Sequence, residues 1–257
     1  MASENYKRVL EILREDGPLE VAKRSFRELE RCISRKKRMK LYTHINNKRN
    51  ELLYDAPPSP YQTIEIRARE VQYLITDKSK APILKPHNSG FAQIKGGDWP
   101  HENYFMKYDT YYIKTSFEKR FLNNQAWEVT SYYRYLTEDK GYSREKAINK
   151  LHSLDSLYES ILEKGYQPNY SKPNHKGTYE YREELEPFVV IDDVGELYTW
   201  DGLHRFCVAS ILDLKIPVHI VCRHEQWQEL RDDIYNNGLS EEHGRLRDHP
   251  DLQDVLN

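Results

Sequence analysis

The chain has 257 residues, a net charge of −2, 38% hydrophobic and 31% charged residues, and 20 tyrosines, 7 phenylalanines and 4 tryptophans. That is length enough for one large domain, or a modest one with an appended segment, and the aromatic content excludes a disordered chain despite the polarity. No apolar run reaches the length of a membrane span, and "MASENYKRVLEILRED" lacks the apolar stretch of a signal peptide, which predicts a cytoplasmic protein without a transmembrane segment.

In chain order, residues 4–15 and 18–41 read as helices, divided by Gly17 and Pro18 as stop and start. The second carries an apolar stripe of Leu19, Ala22, Phe26, Leu29 and Ile33 opposite a basic face. Residues 23–49 hold eleven basic residues against Glu28 and Glu30, a net of +9 that leaves −11 for the remainder. Such an arm suits nucleic acid, an anionic membrane surface, or the acidic rest of the chain. "DAPPSPY" (55–61) reads as a linker, because its prolines forbid helix and sheet alike. The predicted organisation is therefore a basic helical arm (1–58), a domain (59–237) and a C-terminal tail (238–257).

Within the domain, "QTIEIRA" alternates like a half-buried strand, and "FAQIKGGDWP" reads as a strand entering a tight turn. Residues 110–139 and 143–164 are helical by spacing, the latter opened by Ser143 and ended by Gly165. "PFVVID" and "ELYTW" read as strands joined by a turn at Asp193 to Gly195. A helix over 203–213, a strand over "IPVHIVCR" and a helix over "HEQWQELRDDIYN" complete an α+β pattern. Cys32, Cys207 and Cys222 are widely spaced and odd in number, which fits neither a disulfide framework nor a paired-ligand zinc site.

The stretch "YTWDGLHRFCVAS" (198–210) carries the chemistry. Strand-forming residues stop at Asp201 and Gly202, and a helix begins. The first amides of a helix have no partner within it and attract anions. Arg205 adds a fork of donors matched to phosphate, and His204 a further donor. Three roles are open to Asp201: capping the helix, holding Mg²⁺ that bridges phosphates, or taking a proton from an acceptor hydroxyl. The same residues also fit a strand, turn and helix that serve stability alone.

"LDSLYESILEKGYQP" (154–168), followed by "FVVIDDVGELYTWDGLHRFCVASILDLKIPVHIV", resembles the core of the ParB/sulfiredoxin-like superfamily over roughly residues 151–224. The resemblance implies that Gly202, Leu203, His204 and Arg205 form a turn that cradles nucleotide phosphates. Asp201 matches the aspartate of the D-G-x-H-R form seen in archaeal free serine kinases. A sulfiredoxin would carry cysteine where this chain has Leu203, and the 33 residues after His224 are too few for the helix-turn-helix and dimerisation segments of a chromosome-partition ParB. The upstream glutamate of the kinases has no evident counterpart.

Two other groups draw notice. "KGGDWPHE" (95–102) places Asp98, His101 and Glu102 in a strand-end loop that suits a substrate- or metal-facing acid, or equally a Gly-Gly turn over a buried Trp99. Arg223 and His224 fall at the end of the last strand, near the nucleotide site if the resemblance holds; otherwise His224 is a surface cap. The leading expectation is phosphoryl or nucleotide-group transfer to a small-molecule acceptor. ATP or ADP is the expected nucleotide, with CTP as another candidate. Arg205, His204 and the amides after Gly202 hold phosphates, Mg²⁺ bridges them, and Asp201 and His204 are the catalytic candidates. A metal-dependent nuclease and a non-catalytic nucleotide-sensing or DNA-binding module are the competing expectations.

Overall fold

The computed structural model describes residues 35–76, 89–100, 104–171 and 185–256. The expected helices over 4–15 and 18–34, Cys32, His101 and Glu102 lie outside them. The frame is a seven-stranded mixed sheet formed by β1 (Thr63–Arg67), β2 (Tyr73–Ile75), β3 (Gln93–Lys95), β4 (Phe105–Lys107), β5 (Phe188–Ile191), β6 (Leu197–Asp201) and β7 (Lys215–His224). Its order is β1-β7-β5-β6-β2-β4, and β3 pairs β7 beyond the end of β1. Among the described residues six α-helices accompany it: α1 (Arg35–Leu53), α2 (Tyr112–Phe121), α3 (Ser131–Arg134), α4 (Arg144–Lys164), α5 (Leu203–Ile211) and α6 (Glu225–Asn237). The architecture is thus mixed α and β, as the alternating patterns predict.

β5 and β7 are buried along almost their whole length because both faces of the sheet are covered. Val189 and Ile191 face a large core built with Phe206, Val208, Phe117, Leu151, Trp127 and Trp227. Phe188 and Val190 face a second core with Met39, Phe91, Trp99, Tyr198 and Trp200. Alternation along the strand splits neighbours between the two cores.

Two expectations are revised. The stretch 110–139 is not one helix: α2 ends at Phe121, and a short 3-10 turn, α3 and a π-helical turn over Tyr135–Asp139 follow. The 18–41 boundary also fails, because α1 runs on to Leu53. α1 is docked on the segment around β3. Met39, Thr43, Asn46 and Asn50 share one face at helical spacing. There the Thr43 hydroxyl accepts the Phe91 amide at 2.9 Å, while Asn46 donates to the Ser89 and Phe91 carbonyls and Asn50 to that of Ala92. Exposed Lys37, Lys40 and Lys48 stay outside that contact.

The expected tail is likewise docked. Leu252 and Val255 enter the main core, and buried Asp251 receives two bonds from Arg223, at 2.5 and 2.9 Å, and one from Trp227 Nε1 at 2.9 Å. Among the described residues, no helix is long and apolar enough to cross a membrane.

Candidate functional site

β6 delivers the site. Its last residue, Asp201, pairs with Phe188 on β5, and the chain then turns through Gly202 at φ +77° into α5. A Cβ on Gly202 would lie 2.7 Å from Pro187 Cα, so this left-handed, closely packed position requires glycine. The helix cap is Gly202 and not Asp201, so the cap residue has no side chain to offer the first turn. Asp201 Oδ1 instead accepts the Gly202 N–H at 2.8 Å, which fixes the carboxylate at the helix entrance.

His204 and Arg205 are both held by neighbours. The His204 ring lies parallel to Phe117 at 6.0 Å between centroids, and its Nε2 is 2.8 Å from the Tyr132 hydroxyl. Arg205 Nη2 donates to the Leu185 carbonyl at 2.8 Å, while Nη1 donates to Glu186 at 3.2 Å and to the Tyr166 hydroxyl at 3.3 Å. Glu186, whose side chain is 1% exposed, also accepts the Tyr166 hydroxyl at 2.7 Å and the Asn169 amide. One side of the guanidinium is therefore bound into a buried polar cluster. The Arg205 side chain keeps 24% of its surface exposed and contributes to the cavity wall.

In front of the turn lies a cavity of about 580 Å³, within the range of small-molecule sites. Asp201, Gly202, Leu203, His204 and Arg205 line one side. The lining also includes Tyr112, Tyr132, Tyr135 and Tyr142, with Lys140 and Lys150. Among the described residues that line the cavity, Lys140 and Lys150 outnumber the one carboxylate, Asp201, while Arg205 is already paired with Glu186, a balance that suits an anion. Burial first, and neighbouring hydroxyls second, push the Tyr112 and Tyr132 phenols upward, so both remain protonated hydrogen-bonding groups near neutrality.

Other candidates are elsewhere. Phe188 pairs with Asp201 and His219, whereas Ile191, at the far end of β5, pairs with Arg223. Arg223 and His224 therefore occupy the opposite end of the sheet from Asp201. Arg223 is buried against Asp251, and His224 is a buried cap that accepts the Gln226 amide. Lys95 pairs with His224, so exposed Asp98 also belongs to that far end, above buried Trp99. This register sets Arg223 and His224 apart from the Asp201–Arg205 turn, and His224 is a cap, as the second of the two expectations had it, but a buried one.

Cys207, one turn into α5, is buried with Sγ 2.9 Å from the Tyr108 hydroxyl, and burial pushes its thiol up to about 12. It is a packing residue with negligible thiolate at neutral pH. Among the described residues, no three histidine, cysteine or acidic side chains gather as a metal site. Sequence reasoning missed the tyrosine wall, Lys140, Lys150 and Glu186. The doublets "YYIK" (111–114) and "YYRY" (132–135) were the available signal for the wall. Glu186 gave none, since only folding brings it to Arg205. Comparison with protein-family models, curated proteins and solved structures returned no match to this chain.

Proposed function

We propose that this chain binds a nucleotide by its phosphates at the start of α5 and transfers a phosphoryl or nucleotide group to a small-molecule acceptor. The observation that carries the reading is that Lys140, Lys150, the partly exposed Arg205 and the glycine-capped start of α5 line, together with Asp201, one cavity of nucleotide scale. The order α4, β5, β6, Asp-Gly turn, α5, β7 supports a ParB/sulfiredoxin-like core. ATP or ADP is the first choice of nucleotide, and CTP the next.

The amides after Gly202, with Lys140, Lys150 and the exposed edge of Arg205, take up phosphate charge. Asp201 lies where an acceptor hydroxyl would approach those phosphates. It takes the hydroxyl proton as the acceptor oxygen bonds to phosphorus and the bond to the leaving phosphate oxygen breaks; the proton then passes to solvent. His204, oriented by Tyr132 and Phe117, donates a hydrogen bond to the transferring group. Mg²⁺ fits this set only with phosphates present, because Asp201 offers a single carboxylate and the ion commonly uses one or two plus phosphate oxygens. Bound there, the ion would neutralise phosphate charge.

Thermal denaturation of the full chain with ATP, ADP and CTP, with and without Mg²⁺, tests the proposal. At least one nucleotide should raise Tm, and Lys140→Ala combined with Lys150→Ala should abolish the rise. Asp201→Asn should retain it while losing transfer. No rise with any nucleotide overturns the reading.

A further inference from the structure

The two long faces of α1 differ in chemistry. One carries Met39, Thr43, Asn46 and Asn50, whose polar members grip the segment around β3 while Met39 enters the core shared with Phe188 and Val190. The other carries Lys37, Lys40, His44 and Lys48, all exposed. Helical spacing aligns these four in one row about 16 Å long, pointing away from the docked face. From residue 31 to residue 50 the sequence has eight lysines and arginines and no acidic residue. Lys48 also pairs with Glu51 at 2.6 Å, but both ends are exposed, and so weak an association yields readily to a phosphate.

We propose that this outward face of α1 binds the phosphate backbone of a nucleic-acid duplex without regard to sequence. Charge complementarity carries the argument: a duplex presents about one negative charge per 1.7 Å of its axis, so a row of lysines this long meets several phosphates at once. Such contacts fix position and carry no sequence information. Single strands are bound by aromatic side chains that stack on bases, and the exposed residues of α1 include no tyrosine, phenylalanine or tryptophan. A bilayer surface needs a broad apolar face beside the basic one. In α1 the face opposite the lysines is packed on the protein, and exposed Ile45, Leu52 and Leu53 are too few to replace it. This surface is separate from the cavity, because α1 covers the opposite side of the sheet from α5, whose Phe206 and Val208 enter the other core.

The test is fluorescence anisotropy of the full chain with two labelled DNA duplexes of unrelated sequence and one RNA duplex, at low and at higher salt. The two DNA duplexes should bind alike. Affinity should fall at least about fortyfold between about 50 and 200 mM salt, the loss expected when three phosphates are neutralised. Lys37→Ala, Lys40→Ala and Lys48→Ala combined should weaken binding and make the slope of log affinity against log salt shallower by about 2.7. All three side chains are exposed, so the variant should fold with Tm unchanged; if it does not, the wild-type salt dependence still decides. Binding of the DNA or the RNA duplex alone supports the proposal and names the duplex. No duplex binding, binding indifferent to salt, or a folded triple variant indistinguishable from wild type overturns it. Retention on phosphatidylserine vesicles without duplex binding also overturns it, and assigns the face to a membrane surface.

Discussion

Arg205 illustrates how one side chain serves two ends. Its guanidinium neutralises Glu186, which is buried against Leu185, Asn169 and Tyr166, while its remaining edge reaches the cavity. Removing one partner of such a pair leaves an uncompensated buried charge, so Arg205→Ala should cost about 3 kcal/mol in urea denaturation. Glu186→Gln in the same chain should recover part of that loss, because the carboxylate no longer needs a counter-charge. Recovery of nothing would show that Arg205 stabilises by packing alone. Gly202→Ala should cost about 1–3 kcal/mol from its positive φ, and more from the approach to Pro187. For these reasons alanine at Arg205 confounds folding with binding, and lysines 140 and 150 are the better probes of ligand charge.

At the scale of elements, α1 is held to the rest of the molecule by amide side chains and not by an apolar stripe. Asn46 donates to the carbonyls of both Ser89 and Phe91. Asn46→Ala should therefore destabilise by about 1–3 kcal/mol, read by urea denaturation. Hydrogen exchange should quicken at the Phe91 amide, which bonds to Thr43 on the same face. Unchanged stability would mean that this docking is incidental. The strands flanking the site were legible in sequence because β5, β6 and β7 show strong β-forming runs bounded by Pro187, the Asp192–Gly195 turn and Gly202. The helix over 144–164 was equally legible, since Ser143 accepts the Lys146 amide and apolar residues recur at 3.6. By contrast, β2 and β4 are three-residue strands whose pairing depends on partners distant in sequence. The break after Phe121 was hidden because aromatic residues continue on both sides of it. A helical period read across 110–139 could not reveal the π-helical turn that brings Tyr135 to the cavity.

At the scale of the whole molecule, the sheet separates a cavity end from a structural end. Asp201 and the cavity occupy one; Asp98, His224 and the Arg223–Asp251 pair occupy the other. Sequence spacing revealed the turn but not this polarity, which follows from strand register. His219, paired with Phe188 and Thr63, is pushed down to about 4, chiefly by burial. Its folded pKa lies below its unfolded value near 6.5, so the unfolded chain binds the proton first. Stability is then full above about pH 6.5 and declines as pH falls toward 4. Asp251 adds to this at lower pH. Arg223 and Arg231 hold its carboxyl below the usual range against the opposing effect of burial. Its contribution is present above about pH 4 and is lost as pH falls through its lowered folded value. Tm should therefore drop between pH 6.5 and 4, and a His219→Asn variant that folds should flatten that interval. A Tm independent of pH down to 4 would contradict the burial assigned to His219.

The central claim is that the start of α5 receives the phosphates of a ligand. Backbone amide chemical shifts recorded during titration with ATP and Mg²⁺ address it residue by residue. The largest changes should fall at Leu203, His204 and Arg205, with none at Asp98 across the sheet. Unmoved amides at 203–205 under saturating nucleotide, or changes centred on the far end, would contradict it.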